Sequence, residues 1–355
     1  MKAYLKIARP DHWFKNVFVL PGLAFALFVI LVLQESPSET GLGSENFSFF
    51  SGEAIRLLLI PLIIGMASVC LVASANYTIN EYLDAEFDRH HPKKKNRPTV
   101  LGAIKLKGVI LQYVILSVAG LLLAAAINLQ FFLISAFLLV MGVIYNVRPM
   151  RSKDRVYMDV LSESINNPIR FMLGWSLVIP EGAHSLFALP GALAAGETTL
   201  AAEILFPPSS ILLAYWFGGA FLMTIKRFSE YRHINNPELA GLYRESFKYY
   251  SEHKLLIASF FYALCSSFFL AIFLFKYRIE LLLSFPFIAL LFTWYLHIGL
   301  KPDSVTQNPE KLYREWRFLL FVCFLCLFIV GLFVVEIDLL KIFLERIEPT
   351  PVSQP

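Results

Sequence analysis

The chain has 355 residues, of which 57% are apolar and 16% charged, with a mean hydropathy of +0.61. Soluble domains carry about a quarter charged residues, so this composition excludes an ordinary water-soluble enzyme and points to lipid as the solvent. The net charge of +4 is modest; no nucleic-acid partner is expected, and where the charges fall says more than their total.

Taken in chain order, the predicted elements are membrane-spanning helices. Lys2, Lys6, Arg9 and Lys15 precede an apolar run over 17–33. That run is long for a secretory signal core, and the QESPSET that follows lacks a small-x-small cleavage pattern, so it reads as a retained first span. A hydrocarbon core about 30 Å thick needs about 20 apolar helical residues. On that rule further spans fall at 54–75, 108–127, 129–147, 160–179, 209–225, 255–275, 281–300 and 318–340, giving about nine in one domain over 1–345 with a short tail at 346–355. The third and fourth are joined by little more than Asn128 and form a tight helical hairpin.

Lysine and arginine set the orientation of such a bundle. The connections on one side carry 25 of them, those on the other carry 5 (Arg56, Lys276, Arg278, Lys341 and Arg346), and Arg170 lies within the fifth span. The expectation is an all-α integral membrane protein with a cytoplasmic N-terminus, its C-terminus outside, and its chemistry on the cytoplasmic side. The outer connections, with Glu35, Glu39, Glu45 and Glu53 or the Ala/Gly/Pro-rich 181–208, hold no chemical constellation. Cys70, Cys265, Cys323 and Cys326 all fall in apolar runs, so the C-x-x-C at 323–326 reads as span residues and not as a redox or metal pair.

The second span continues as NEYLDAEFDRHHPKKKNRP over 80–98. If the helix runs on, Asn80, Asp84 and Asp88 stack at i, i+4 and i+8 on one face, while Glu81 and Glu86 point elsewhere. Such a column of oxygen ligands suits magnesium, which prefers carboxylates together with phosphate oxygens and water. Arg89, Lys93, Lys94, Lys95 and Arg97 follow at once and can meet phosphate oxygens; Pro92 and Pro98 end the helix. Acid column and basic loop together are the layout expected for a magnesium-bridged diphosphate, against the plainer reading of a solvated helix end with a positive-inside loop.

A second acidic station lies in YNVRPMRSKDRVYMDV over 145–160, where Asp154 and Asp159 flank Arg155. Two stations could hold two cations at the ends of one diphosphate; Asp154 reads equally as an ion-pair partner, and Asp159, at the membrane mouth, is the better ligand. The fifth span carries Ser162, Glu163, Ser164, Asn166, Asn167 and Arg170. Ionisable groups at that depth normally face a cavity or a partner, and Glu163 and Arg170, seven apart, share a helix face. Lys226 and Arg227, with Glu230 nearby, either bind substrate or anchor a span end, and Trp13, Lys15 and Asn16 precede the first span. His90 and His91 read as loop residues. Nothing matches a P-loop, a catalytic triad or a Rossmann turn.

These residues resemble the UbiA superfamily of intramembrane prenyltransferases, and within it the polyprenyl-phosphate phosphoribosyltransferase branch. RPDHWFKN at 9–16 resembles the branch's R-P-x-x-W-x-K-N, and 80–98 its N-D-x-x-D-x-x-x-D-R-x-H-P-x-K-x-x-R-P. Asp159, Arg170 and Gly174 resemble its D-x10-L-R-x-x-x-G, KRFSE at 226–230 its K-R-x-x-E, and NPEKLYREWR at 308–317 its last cytoplasmic loop. Glu81 replaces the usual Asp, the connection before the fifth span is about three residues longer, Ile169 replaces Leu, Asn166 stands where Gly is usual, and Ser162, Glu163 and Asn167 replace apolar residues. These changes crowd the pocket and leave the substrate open.

The resemblance implies a UbiA-like bundle with a cytoplasm-facing cavity and magnesium held by Asn80, Asp84, Asp88 and Asp159. It implies catalytic roles for Asp84, Asp88, Asp159 and Arg170, and substrate contacts from Lys15, Asn16, Arg89, Lys94, Arg97, Glu163, Lys226 and Arg227. The implied partners are membrane lipid, a polyprenyl lipid substrate and a soluble or lipid diphosphate donor. The reaction expected first is transfer of 5-phosphoribosyl from phosphoribosyl diphosphate to a polyprenyl phosphate; the alternative is prenyl transfer to an aromatic or other acceptor. A transporter would place acids near several span centres and pair broken helices, whereas here the acids gather at cytoplasmic ends.

Overall fold

A computed structural model describes residues 2–34, 52–91, 94–178, 206–302, 304–307, 309–337 and 340. The outer connections over 35–51 and 179–205, Lys93 and the tail 346–355 lie outside the described residues. Among the described residues all regular elements are helical.

The N-terminal segment is a short helix α1 (Lys2–Ala8) and a 3-10 stretch (Pro10–Val19) leading into α2 (Leu20–Gln34). Next come α3 (Gly52–Leu83), the one-turn α4 (Ala85–Asp88), α5 (Leu106–Ala125) and α6 (Leu129–Asn146). The expected hairpin between α5 and α6 is present. Asn128 makes it by capping α6, its Oδ1 accepting from the Phe131 N–H at 2.7 Å while its amide donates to the Ser176 carbonyl at 2.7 Å.

The fifth predicted span is two short helices, α7 (Met158–Ser164) and α8 (Asn166–Trp175). Pro168 supplies the reason. It has no N–H for the Ser164 carbonyl, so the ladder breaks there and resumes with Ile169 N–H to the Ile165 carbonyl at 3.2 Å. The second half contains α9 (Ser209–Ile234), α10 (Pro237–Tyr243), α11 (Glu252–Tyr277), α12 (Phe285–Leu300) and α13 (Trp316–Val334).

Six stretches among the described residues are long and apolar enough to cross a membrane: Leu58–Leu83, Leu106–Ala125, Leu129–Asn146, Ser209–Ile234, Glu252–Tyr277 and Ile279–Leu300. The expectation of nine is thus met in six. Of the other three, the first span begins as 3-10 helix, the fifth is broken, and the ninth has a shorter apolar stretch, Trp316–Leu332.

Two packed halves result. In the first, α3 rests on α5 and α6 around Val69, Val72, Phe131, Ile134, Ile169 and Leu173. In the second, α9 rests on α11 and α12 around Ala220, Phe221, Ile225, Tyr262, Tyr295 and Ile298. The broken pair joins them, α7 and α8 against α9, and α8 also against α2 and α6. The crossing of α2 and α8 is made by glycine on both sides. A Cβ on Gly174 would strike the Val19 carbonyl, and one on Gly22 would strike the backbone of Phe171. That close approach fixes the residue one turn before Gly174, which is Arg170.

Candidate active site

A cavity of about 320 Å³ opens between the two halves, where α3 and α6 end and α7 begins. The N-terminal segment walls it with Arg9, His12 and Lys15; α3 and α4 contribute Tyr77, Asn80, Asp84 and Asp88; α6 contributes Tyr145 and Asn146. From the broken pair come Glu163, Asn166 and Arg170, from α9 Lys226, Arg227 and Glu230, and from the loops Lys94, Arg97, Tyr243 and Arg244. Phe14, Phe18, Met141, Leu222, Met223 and Tyr295 give it an apolar wall.

The column predicted from spacing keeps its helical register. α3 ends at Leu83, yet Asp84 N–H bonds the Asn80 carbonyl at 2.9 Å and Asp88 N–H bonds the Asp84 carbonyl at 2.8 Å. Lys153 Nζ lies 2.5 Å from Asp84 Oδ1 and 2.8 Å from Asn146 Oδ1, and Arg151 reaches the same Asp84 oxygen at 3.2 Å. Asn80 Nδ2 donates to Asn146 Oδ1 at 2.6 Å, and Arg97 pairs with Asp88 at 2.5 Å. Burial opposes ionisation of Asp84, but Lys153, Arg244 and Arg151 outweigh it and hold the carboxyl below the ordinary carboxylate range. At Asp88 burial wins over Arg97 and Lys94, so its carboxyl is raised. Burial also lowers the Lys153 ammonium to about 8, against the pull of Asp84.

This station fits magnesium by the chemistry of its donors. The ion is bound through one or two carboxylates plus phosphate oxygens and water, and two aspartates beside two amides offer that oxygen set. Among the described residues no three His, Cys, Asp or Glu side chains gather as a self-sufficient metal site, so a ligand's own oxygens must complete the shell. Lys153 already places one positive charge between Asp84 and Asn146.

Opposite stands a cluster around Arg227, only 1% exposed, which pairs with Glu163, Glu230 (3.2 Å) and Asp159 (3.4 Å). Lys226 is 3.7 Å from Glu163, whose Oε2 accepts from the Tyr145 hydroxyl at 2.9 Å. Lys94 reaches Glu230 at 3.6 Å and bonds the Tyr243 hydroxyl.

Asp159 is fully buried and does not line the cavity. It accepts from the Tyr250 hydroxyl at 2.7 Å and the Ser246 hydroxyl at 3.2 Å, and it pairs with Arg244 at 3.7 Å. These partners take its oxygens, so the structure sets it behind the wall, positioning Arg227 and Arg244. Asn16 is likewise behind the wall, its Oδ1 accepting from Arg170 Nε at 3.0 Å and its amide donating to Cys70 at 3.2 Å. Arg89 is exposed and away from the cavity, and Asp154 pairs with Arg151 at 2.9 Å. The other predicted residues are brought together: Lys15, Asn80, Asp84, Asp88, Lys94, Arg97, Glu163, Arg170, Lys226 and Arg227 all line the cavity. Glu163 and Arg170 do so from either side of the helix break.

Sequence reasoning missed Tyr145, Tyr243 and Arg244, and it gave Arg9 and His12 no role beyond their place in a motif. Tyr243 and Arg244 lie at the end of α10, far in sequence from every acid they serve. Asn236, with Pro237 behind it, was the available sign of a folded element there: its side chain caps α10 by accepting from Leu239 N–H at 3.0 Å.

A polar, charge-lined cavity let into an apolar helical bundle defines an integral membrane protein with an interfacial site. The chain belongs to the UbiA prenyltransferase family, whose sequence profile matches residues 47–322. It is 31% identical over 145 residues to the nodulation protein NoeC of Azorhizobium caulinodans, across 40% of this chain and 38% of that one. It is 29% identical over 139 residues to the decaprenyl-phosphate phosphoribosyltransferase of Mycolicibacterium smegmatis, across 39% and 36%. The chain thus spans under two fifths of the length of these relatives. A UbiA homolog from Archaeoglobus fulgidus, solved bound to DMAPP and Mg2+, shares the fold with a TM-score of 0.60 at 20% identity, over 94% of this chain and 100% of that one.

Proposed function

We propose that the chain is a magnesium-dependent intramembrane transferase that moves 5-phosphoribosyl from phosphoribosyl diphosphate to a polyprenyl phosphate. The observation that carries this reading is the charge of the cavity wall, with eight Lys and Arg (Arg9, Lys15, Lys94, Arg97, Arg170, Lys226, Arg227, Arg244) against four acids (Asp84, Asp88, Glu163, Glu230). That excess suits two anionic substrates at once, and Arg and Lys are the natural partners of phosphate.

Asn80, Asp84 and Asp88 would hold magnesium, which neutralises charge on the donor's diphosphate oxygens. Lys94, Arg97 and Lys226 stand where negative charge grows as the diphosphate departs, and such fixed charges stabilise charge separation. An oxygen of the lipid phosphate forms the new bond to the sugar's anomeric carbon while the bond from that carbon to the diphosphate oxygen breaks, the diphosphate leaving with the electron pair. The acceptor oxygen is already anionic near neutral pH, so no general base is needed. The positive-inside bias supports a cavity open to the cytoplasm, where a soluble donor would be available.

Prenyl transfer to an aromatic or other acceptor is the second reading. It is favoured by the aromatic and aliphatic wall of Phe14, Phe18, Leu222, Met223 and Tyr295, which would suit an allylic chain, and by the DMAPP bound in the Archaeoglobus neighbour. Purified protein with magnesium decides between them. Label from phosphoribosyl diphosphate is expected to pass into the lipid fraction when polyprenyl phosphate is present. Product from prenyl diphosphate and an aromatic acceptor, with none from the first mixture, would replace the first reading by the second.

A further inference from the structure

Seven of the cavity's cations fall into two kinds. Lys94, Arg97, Lys226, Arg227 and Arg244 each have a carboxylate within 4.0 Å. Arg9 and Arg170 do not, among the described residues. Arg9 donates to His12 Nε2 at 2.7 Å. Arg170 donates to Asn16 Oδ1 at 3.0 Å and to the Asn166 carbonyl at 3.3 Å, and it lies against the Tyr77 hydroxyl. Arg170 is only 7% exposed. A buried charge without a counter-charge is costly, so the missing anion belongs to a ligand.

The neighbouring histidine agrees. A guanidinium can only donate, so His12 Nε2 is the acceptor and the ring's hydrogen sits on Nδ1. That nitrogen is buried with no partner among the described residues, and a buried donor left without an acceptor is rare in folded proteins. Tyr77 joins these groups, its ring 5.3 Å from the His12 ring and 6.0 Å from the Arg9 guanidinium carbon. Arg9 is held in the left-handed region (φ 51°, ψ 58°), a conformation that is strained for a non-glycine residue and clusters at functional sites. Of the acids near this nook, Asp11 lies 3.5 Å from His12 Nε2 with its side chain 66% exposed, and the buried Glu81 feels the charge of Arg9 without pairing with it within 4.0 Å. Tyr77 lies on α3 seven residues before Asp84, whose N–H continues the helical register, so the nook is about 10 Å along the axis from the aspartates.

We propose that Arg9, His12, Tyr77 and Arg170 form a second anion subsite, distinct from the aspartate station, which takes the phosphomonoester head group of the lipid acceptor. This rests on the transferase reading above and adds where acceptor specificity resides. The head group's oxygens accept from both guanidinium groups and from His12 Nδ1–H, while Phe14 and Phe18 beside them receive the start of the hydrocarbon chain. The separation from Asp84 leaves room for a donor between the two anion stations.

The test measures binding of radiolabelled farnesyl phosphate to the full chain in lipid nanodiscs. Competitors are unlabelled farnesyl phosphate, farnesol and inorganic phosphate, with and without magnesium. Farnesyl phosphate is expected to bind without magnesium, with farnesol and inorganic phosphate each at least ten-fold weaker as competitors. Arg170→Gln and Arg9→Gln should each weaken it at least ten-fold, and Asp84→Asn should change it less than two-fold. If Arg170→Gln does not yield folded protein, Arg9→Gln carries the test. An absolute requirement for magnesium, competition by inorganic phosphate equal to that of farnesyl phosphate, or indifference to the arginine substitutions overturns this proposal alone. Failure of the unmodified chain to bind inorganic diphosphate with magnesium overturns the transferase reading and this proposal with it.

Discussion

The two ends of the cavity solve the same electrostatic problem in opposite ways. At the aspartate station each acid is matched inside the protein: Asp84 by Lys153 and Arg151, and Asp88 by Arg97. At the deeper nook Arg170 is surrounded by an amide, a carbonyl and a tyrosine, with no acid within 4.0 Å among the described residues. A balanced station suits a ligand that brings its own cations, such as a metal diphosphate. An unbalanced one suits a bare anion. Both stations are built from the first half and the broken pair, and the second half closes the cavity beside them with Lys226, Arg227 and Glu230.

The comparison breaks most sharply at the column. Asp84→Asn is expected to cut transfer by about 100-fold or more, the scale seen when a preorganised charge-stabilising group is removed, with little loss of folded protein; near-normal turnover would remove the proposed metal station. Asp159→Ala attacks the wall that holds Arg227 and Arg244. It takes from Arg244 the carboxylate that pairs with it and from Arg227 one of three, and a loss of about 3 kcal/mol is expected, read as a lower midpoint of thermal unfolding in detergent. An unchanged midpoint would mean Asp159 is not the anchor described.

Gly174→Ala acts on the nook. Its methyl group must push α2 from α8, at a cost of about 1–3 kcal/mol, and should weaken acceptor binding more than donor binding by shifting Arg170 away from Asn16. Equal loss of both would show that the crossing supports the whole cavity. Arg89→Ala should have the smallest effect. Exposed and clear of the cavity, it is expected to alter stability by less than about 0.5 kcal/mol and turnover by less than two-fold, and a larger loss in a steady-state assay would bring Arg89 back into the site.

Much of the site was legible because it lies on helices whose spacing survives folding. Asn80, Asp84 and Asp88 could be placed on one face from their period alone, and the polar fifth span announced a cavity because charge at that depth needs one. What escaped depended on long-range contact. Asp159 looked like a ligand because nothing in the sequence says that Tyr250, Ser246, Arg227 and Arg244 converge on it. Tyr243 and Arg244 were invisible for the same reason, being brought to the aspartates by the packing of α10 against α4. The break between α7 and α8 was readable in principle: Pro168 is a breaker inside an apolar run, but hydropathy alone drew one continuous span.

Lys153 gives the aspartate station a property with practical reach. Its ammonium, bridging Asp84 and Asn146, is a tethered counterion supplied by the chain itself. A chelator is therefore expected to silence transfer without unfolding the protein. Loading a metal-bound donor would then be an exchange, in which an incoming ion displaces one that can swing aside but never diffuse away.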